Sequence, residues 1–270
     1  MLEEQVLTEG MQVHYYRVGR GKPLLMLHGS GPGASSIGNW RPVLEPLGQR
    51  YEVFAMDLIG FGKSDRKPQP PYFDFALWTR QIEAMLEHIG APRVGVIAHS
   101  LSASLALTVA ARNQRIAALL TTGAMGAPFQ LNEATRLTWT CPRTRDQLVK
   151  TLQGLIHDTS IIDEAYLAAR EKVLYSPGYA DYFDAMFEGD KQQYIHAAEL
   201  SPELLRQVAC PVLMLHGRQD TGFPPSCTEA ISRQLARVDV CYLDRCSHSV
   251  AVERTSTFLA LANDFFDRML

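Results

Sequence analysis

The sequence predicts an α/β domain in which a mostly parallel sheet of eight strands is covered by helices on both faces. Short apolar, β-branched segments alternate with longer segments of helical periodicity, which is the pattern of a parallel sheet buried between helices. Glycine-rich turns follow several of the predicted strands. The 270 residues, 46% of them hydrophobic, suffice for one such domain carrying an insertion.

The first half of the chain supplies most of the strands. Residues 6–17 predict an antiparallel hairpin that turns at Glu9-Gly10, at the edge of the sheet. Apolar residues recur at helical spacing over 75–89, and Gly90 is typical of a helix C-cap. The other elements expected in this half are strands at 24–27, 51–56, 94–99 and 116–120 and helices at 40–47 and directly after Ser100.

The alternation of strands and helices is interrupted between residues 129 and 200. That stretch is mostly helical in pattern, is rich in Arg, Asp and Tyr, and contains Ser176-Pro177-Gly178. We predict that it forms a helical cap inserted into a core domain made of residues 1–128 and 201–270. The elements predicted in the second part of the core are a strand at 212–216, a helix at 226–235, a strand at 238–243 and a C-terminal helix at 254–270.

Composition and charge argue against several classes of protein. The formal net charge is −3 and no basic cluster is present, which disfavours nucleic acid as a partner. The start of the chain has no apolar run and predicts no secretory signal, and the most apolar window, 101–111, is too short to span a membrane. The five cysteines form no C-x-x-C pair, so we expect reduced thiols in a cytoplasmic protein without a metal site. Homo-oligomer formation is left open.

Ser100 lies between a predicted buried strand and a predicted Ala/Leu-rich helix. A serine on such a sharp turn has the geometry of a nucleophile elbow, with its Oγ lifted out of the sheet. Asp220 and His248 follow it in the order Ser…Asp…His, which is one of the chain orders of a catalytic triad. A histidine can take the proton of the serine hydroxyl, and a carboxylate on its other nitrogen fixes its tautomer. We therefore predict these three residues as catalytic.

These candidates all follow predicted strands. Ser30 also does so, in the loop His28-Gly29-Ser30-Gly31-Pro32-Gly33. Because ligands bind outside the carboxyl ends of parallel strands, we expect the candidates to converge on one edge of the sheet. An oxyanion that develops there needs two N–H donors. We predict that these donors are the backbone amides of Ser30 and Leu101.

Each catalytic candidate also has a plain structural interpretation. Ser100 could be a helix N-cap, Asp220 a turn residue and His248 a surface side chain. Cys246, two residues before His248, is a further candidate nucleophile, but no elbow surrounds it. The shared order and placement of the three residues favour the catalytic interpretation.

The chain resembles the α/β-hydrolase superfamily over nearly its whole length. More narrowly, it resembles the meta-cleavage product hydrolases of bacterial aromatic-ring catabolism. The motifs that carry this resemblance are His28 to Ala34 with Asn39-Trp40, Asp57 to Asp65, His216 to Asp220, Arg170-Glu171, and Ser176-Pro177-Gly178 through Met186-Phe187. The resemblance implies the α/β-hydrolase fold, with a mostly parallel eight-stranded sheet and an inserted helical cap.

The resemblance also implies an activity. Hydrolases of this type cleave a carbon–carbon bond of a 2-hydroxy-6-oxohexa-2,4-dienoate to a 2-hydroxypentadienoate and a carboxylic acid, without metal or organic cofactor. The partner is then a small anionic dienoate. Arg170 and Asn39 match positions that contact its acid end, and His99 and Ser249 stand beside the nucleophile and the histidine. Arg170 also has the simpler interpretation of a solvated helix charge.

The chain departs from this family at four positions. Ala98 and Ser102 stand where the elbow has glycines, which predicts a slightly wider turn or stored strain. His99 stands in place of an asparagine, and Ser249 in place of a tryptophan. Two alternatives therefore stay open: a carboxylesterase or amidase on the same fold, and a homologue that binds a small molecule without turnover.

Overall fold

The computed structural model describes all residues from Met1 to Leu270. Its eight strands are β1 (Leu2–Thr8), β2 (Met11–Val18), β3 (Lys22–Leu27), β4 (Tyr51–Met56), β5 (Val94–His99), β6 (Ile116–Thr122), β7 (Val212–Gly217) and β8 (Val238–Leu243). They form one sheet in the order β1-β2-β4-β3-β5-β6-β7-β8. Only the β1–β2 and β2–β4 pairs are antiparallel, and the remaining neighbours are parallel. The predicted fold class is confirmed.

Twelve α-helices accompany the sheet. Three of them precede β6: α1 (Ser36–Gly48), α2 (Phe75–Ile89) and α3 (Leu101–Ala110). Six helices lie between β6 and β7: α4 (Glu133–Thr138), α5 (Arg145–Gln153), α6 (Glu164–Leu174), α7 (Tyr179–Met186), α8 (Gln192–Ala197) and α9 (Pro202–Arg206). The last three are α10 (Ser226–Ser232), α11 (Val250–Glu253) and α12 (Thr255–Met269). None of the helices has the length and apolar character that a membrane crossing requires.

Several helix boundaries differ from the prediction. Helix α1 begins at Ser36 rather than at residue 40, because the Ser35 side chain accepts a hydrogen bond from the Gly38 amide and caps it. Helix α10 ends at Ser232 rather than at Leu235, since its last turn closes with i→i+3 bonds. The short helix α11 was not predicted, and it shifts the start of the C-terminal helix to Thr255.

The sheet separates two hydrophobic clusters. Along β3, Leu24 and Met26 point into one cluster and Leu25 and Leu27 into the other, as the alternation of side chains along a strand requires. The smaller cluster is closed by α1 and α12. The larger one is closed by α2, α3 and most of the helices between β6 and β7.

Aromatic side chains attach the helices between β6 and β7 to the rest of the molecule. The Trp139 ring stacks on Phe187 with 5.5 Å between centroids, and it meets Phe223, beyond the end of β7, at 5.9 Å. All three side chains are fully buried, so their contacts hold these helices over the carboxyl ends of the strands. The predicted domain boundaries, with the cap at 129–200, stay a prediction.

Candidate active site

Ser100 forms a sharp turn between β5 and α3. Its backbone has φ +59° and ψ −123°, a region that side-chain-bearing residues rarely adopt. Two backbone hydrogen bonds hold the turn: the Ser100 amide donates to the Thr122 carbonyl at 2.9 Å, and the Met125 amide donates to the Ser100 carbonyl at 3.2 Å. The Ser100 side chain caps nothing in the helix, so it is not an ordinary N-cap. Backbone strain of this kind concentrates at functional sites.

The replacement of glycine by Ser102 adds a contact to this turn. Ser102 is fully buried, and its hydroxyl donates a hydrogen bond to the His28 carbonyl at the end of β3. The first turn of α3 is thereby tied to the loop that contains Ser30. The positive φ belongs to Ser100 itself, so the wider turn or stored strain expected from Ala98 and Ser102 stays a prediction.

Asp220 and His248 form a buried hydrogen-bonded pair. His248 Nδ1 and Asp220 Oδ2 lie 2.7 Å apart, while the other carboxylate oxygen accepts from the Phe223 amide at 2.9 Å. His216 Nε2 lies 3.3 Å from the same Oδ2. Burial alone would raise the pKa of Asp220, but the facing His248 and His216 rings outweigh it and hold the pKa well below its usual range. Asp220 is therefore an anion under ordinary conditions.

The His248 ring is positioned from three sides. Phe223 stacks on it at 4.4 Å between centroids, and the His248 amide donates to the Leu155 carbonyl at 3.1 Å. Gly123 makes room for the ring, because a Cβ at that position would lie 2.8 Å from His248 Nδ1. Since Nδ1 donates to Asp220, the lone pair is on Nε2. Neither this nitrogen nor the Ser100 hydroxyl has a hydrogen-bond partner within the protein.

Two backbone amides near Ser100 lack acceptors. Leu101 is the first residue of α3, so its amide has no carbonyl four residues earlier in the helix. The Ser30 amide donates to no backbone carbonyl, and the Ser30 hydroxyl accepts from Trp139 Nε1 at 3.1 Å. Gly29 permits the close approach of this loop, because a Cβ there would lie 3.1 Å from the Ser100 Cβ. Both amides are thus available at the elbow, where an oxyanion would need them.

A small cavity beside the elbow brings together four residues that the sequence predicts to bind substrate: Asn39, His99, Arg170 and Ser249. Its volume is about 10 Å³, which is room for about one water molecule. Trp40, Thr122 and Tyr166 also line it.

Arg170 is a buried charge without a carboxylate partner. Only 7% of the residue is exposed, so the interpretation as a solvated helix charge is wrong. Its guanidinium donates to the Pro32 carbonyl at 3.1 Å and to the Tyr166 hydroxyl at 3.2 Å, and its Nε has no partner. A buried cation is costly unless an anion pairs with it. The arrangement therefore favours an anionic ligand in the adjoining cavity.

Residues 24–261 match the model of the alpha/beta hydrolase family. The chain belongs to that family. This alpha/beta hydrolase is 28% identical to the 2-hydroxy-6-oxo-2,4-heptadienoate hydrolase of Pseudomonas putida, over 96% of this chain and 94% of the relative. It is 27% identical to the 2-hydroxy-6-oxo-6-(2'-aminophenyl)hexa-2,4-dienoic acid hydrolase of Metapseudomonas resinovorans, over 99% and 91% of the two chains.

Solved structures resemble this alpha/beta hydrolase over its full length. A meta-cleavage product hydrolase from Pseudomonas fluorescens, crystallised with acetates, superimposes with a TM-score of 0.93 at 27% identity, covering 98% of this chain and 97% of the other. A serine hydrolase from the polyaromatic hydrocarbon-degrading bacterium Cycloclasticus zankles gives 0.91 at 25% identity, with 100% and 99% covered. The expected family resemblance is confirmed, and the chain is a hydrolase of the alpha/beta fold.

Two residues that line the cavity were not among the predicted substrate-binding residues. Trp40 contributes an indole Nε1 that is buried and has no partner, and Tyr166 orients the Arg170 guanidinium. A signal for Tyr166 was present, because residues four apart share one face of a helix. His216, at the end of β7, contacts the Asp220 carboxylate as well as Thr228.

Cys246 does not take the place of Ser100. Burial raises the pKa of its thiol to about 12, so the thiol stays protonated and unreactive at neutral pH. Its Sγ lies 3.6 Å from the Ser247 carbonyl and 3.9 Å from Glu253, and no hydrogen bond joins it to His248.

Proposed function

We propose that this protein is a serine hydrolase that cleaves a carbon–carbon bond of a 2-hydroxy-6-oxohexa-2,4-dienoate. The products are a 2-hydroxypentadienoate and a carboxylic acid. The observation that carries the proposal is the buried Arg170, which has no carboxylate partner and lines a cavity with Asn39 and His99, next to the Asp220–His248 pair. Relatives similar over nearly the whole chain are named for substrates of this class.

Ser100 is the nucleophile in this proposal. His248 Nε2 takes the proton of the Ser100 hydroxyl as Oγ bonds to C6 of the substrate, and the Asp220 carboxylate stabilises the imidazolium that results. The amides of Ser30 and Leu101 hold the oxyanion that develops on the C6 oxygen. This assignment is supported by the 2.7 Å contact between His248 and Asp220 and by the two unpartnered amides.

Bond cleavage requires the keto form of the dienol, which arises when the proton of the 2-hydroxyl group is transferred to C5 and the two double bonds shift to C2=O and C3=C4. When C2 carries a carbonyl, the electron pair of the breaking C5–C6 bond is delocalised onto its oxygen. His248 returns its proton to this leaving fragment, which departs as the 2-hydroxypentadienoate. Water then hydrolyses the acyl group on Ser100, with His248 as its base, and releases the carboxylic acid. In this proposal, Ser100, His248 and Asp220 supply the nucleophile, the base and the anion that the sequence of steps needs.

The acid end of the substrate binds to Arg170 and Asn39. A carboxylate there supplies the anion that Arg170 lacks. The cavity of about 10 Å³ is smaller than that carboxylate and its neighbouring atoms, so substrate binding has to widen it. Helix α6 carries both Arg170 and Tyr166, and we expect this helix to shift when the substrate enters.

The test is turnover of a coloured ring-fission product. The purified protein is mixed with dienoates that carry an alkyl, an aryl or an aldehyde group at C6, in buffer containing a metal chelator. We expect the visible absorbance to decrease and a 2-hydroxypentadienoate and the matching acid to appear in equal amounts. No loss of absorbance with any of the three would contradict the proposal.

A carboxylesterase or amidase is the second candidate. Ser249 favours it, because this small side chain lies in the cavity where the resembling family has a large apolar wall. Turnover of simple aryl esters without turnover of dienoates would select this candidate. Binding of a dienoate without any turnover, and without reaction of Ser100 with an acylating reagent, would instead select a non-catalytic binding protein.

A further inference from the structure

The His99 ring is held in one tautomer. Its Nδ1 lies 3.1 Å from the Thr122 carbonyl and 3.0 Å from the Thr122 hydroxyl. A carbonyl oxygen only accepts hydrogen bonds, so the proton is on Nδ1. The lone pair is therefore on Nε2, at the opposite edge of the ring.

This opposite edge faces the site. A Cβ on Gly29 would lie 2.9 Å from His99 Cδ2 and 3.5 Å from Nε2, so the edge borders the loop that contains Ser30. His99 also lines the cavity shared by Asn39 and Arg170. Nε2 has no hydrogen-bond partner within the protein, and it is not one of the unpartnered polar atoms that are fully buried. It is a hydrogen-bond acceptor without a donor.

The surroundings keep this ring neutral. Burial lowers the pKa of His99 well below its usual value, and the neighbouring His248 ring, 4.5 Å away between centroids, lowers it further. The Arg170 cation also lowers this pKa. The backbone hydrogen bond to Thr122 and the Asp220 anion raise it, but each of these effects is smaller than that of burial. Because Nδ1 is already committed, a neutral His99 offers the cavity an acceptor and no donor.

We propose that His99 Nε2 accepts a hydrogen bond from the 2-hydroxyl group of the substrate, and that this contact makes initial binding selective for the protonated dienol, before the dienol is converted to its keto form. The inference rests on the proposed function, which places the substrate carboxylate on Arg170. The 2-hydroxyl is attached to the carbon next to that carboxylate, so it enters the same cavity. A dienolate or a 2-oxo group has no proton to donate and leaves Nε2 unpaired in a buried site.

The asparagine that the resembling family has at this position offers a different set of hydrogen-bonding groups. Its side chain has both a donor and an acceptor, so it can bind a hydroxyl, an oxo group or an enolate oxygen. His99→Asn therefore gives a matched variant that restores the donor while keeping a polar side chain of moderate size. The selectivity for the hydroxyl form should weaken in this variant.

The experiment uses Ser100→Ala to bind substrate without turnover. The probes are a 2-hydroxy-6-oxohexa-2,4-dienoate and the corresponding 6-oxohexa-2,4-dienoate without the hydroxyl group. We expect Ser100→Ala to bind the hydroxyl-bearing probe about tenfold more tightly, the effect of one hydrogen bond in a buried site. In Ser100→Ala with His99→Asn, the preference should decrease to about threefold or less.

The absorbance of the bound probe is an independent readout. The dienolate absorbs at longer wavelength than the dienol, since its charge is delocalised. Bound to Ser100→Ala, the hydroxyl-bearing probe should keep the dienol spectrum at pH values at which the free probe is already a dienolate. This measurement leaves His99 unchanged, so it tests the selectivity for the dienol even if the double variant does not fold.

The outcomes separate this inference from the proposed function. Equal preference with and without His99, or a dienolate spectrum in Ser100→Ala, would overturn the role of His99 while wild-type turnover of dienoates stands. No binding of either probe, together with no wild-type turnover, would overturn the proposed function and the inference with it.

Discussion

The two sides of the site differ in whether their buried charges are paired. On the strand side, formed by the loops after the strands, both oxygens of Asp220 accept hydrogen bonds, from His248 and from the Phe223 amide. On the helical side, formed by α6, Arg170 is also buried but has no carboxylate partner, and its Nε has no hydrogen-bond partner. The Asp220 carboxylate is therefore paired within the protein, whereas the Arg170 guanidinium becomes paired only when an anion binds.

This difference assigns a separate task to each side. Groups that must be aligned before the reaction begins are fixed by hydrogen bonds to the sheet and its loops, which limits reorganisation during catalysis. In the proposed function, the unpaired charge on α6 instead provides affinity, because a ligand carboxylate removes the penalty of a buried cation. Changes on the strand side should thus reduce kcat, and changes on the helical side should raise KM.

Replacing Ser100, the proposed nucleophile, should have the largest effect. We expect Ser100→Ala to reduce kcat by about 10⁴-fold or more, with dienoate binding retained, as measured by stopped-flow absorbance. Ser104→Ala is the matched control, since Ser104 is buried on the same helix and its hydroxyl has no partner. A Ser100→Ala variant with a tenth of the wild-type kcat would contradict the assignment.

Replacing Asp220, the proposed acid of the triad, should have the next largest effect. Asp220→Asn keeps the shape of the side chain but removes the charge that stabilises protonated His248, and we expect kcat to decrease by about 10³- to 10⁴-fold. Steady-state turnover measures this. Asp239→Asn, at an exposed position of β8, controls for loss of a carboxylate elsewhere. An increase in KM with an unchanged kcat would show that Asp220 serves binding only.

On the helical side, a replacement should have a smaller effect, and the effect should be on KM rather than on kcat. We expect Arg170→Met to raise KM by about 10- to 100-fold, the effect of a charged hydrogen-bonded contact, with a lesser change in kcat. Its free energy of unfolding should not decrease, because a buried unpaired charge is removed. Lys172→Met, exposed on the same helix, is the control. An unchanged KM would remove the anion-binding role of Arg170.

The pH dependence of stability gives the smallest effect. The pKa of His99 is lowered in the folded protein, so between that value and the pKa of about 6.5 of an unfolded histidine, only the unfolded chain binds the proton. Stability then decreases as pH falls below about 6.5, by up to ~1.4 kcal/mol per pH unit from this group. Urea unfolding from pH 7 to pH 5 should show a shallower slope for His99→Asn. Identical slopes would mean that His99 titrates normally.

The strand side was also the part that sequence could predict. Helix α2 has the predicted bounds because local signals define both ends: the Asp74 side chain caps the Leu77 amide, and Gly90 adopts the left-handed conformation. Ser100 was found for the same reason, since the turn between a strand and a helix is encoded by adjacent residues.

The helical side could not be predicted to the same extent. The cavity depends on the approach of α1 to α6, which brings Trp40 near Tyr166 across more than a hundred residues of chain. No periodicity encodes such a contact. The family resemblance supplied Arg170 and Asn39 as candidates, but whether Arg170 was buried or solvated was decided only by the packing of α6 on the loop after β3.

The central claim is that the Asp220–His248 pair activates the Ser100 hydroxyl. Its most direct test is reaction of the intact protein with a fluorophosphonate, followed by mass spectrometry of the labelled peptide. We expect one label on Ser100 in the wild type, no label in Ser100→Ala, and labelling at least about 10³-fold slower in His248→Ala. A label on another residue, or equal rates with and without His248, would contradict the claim.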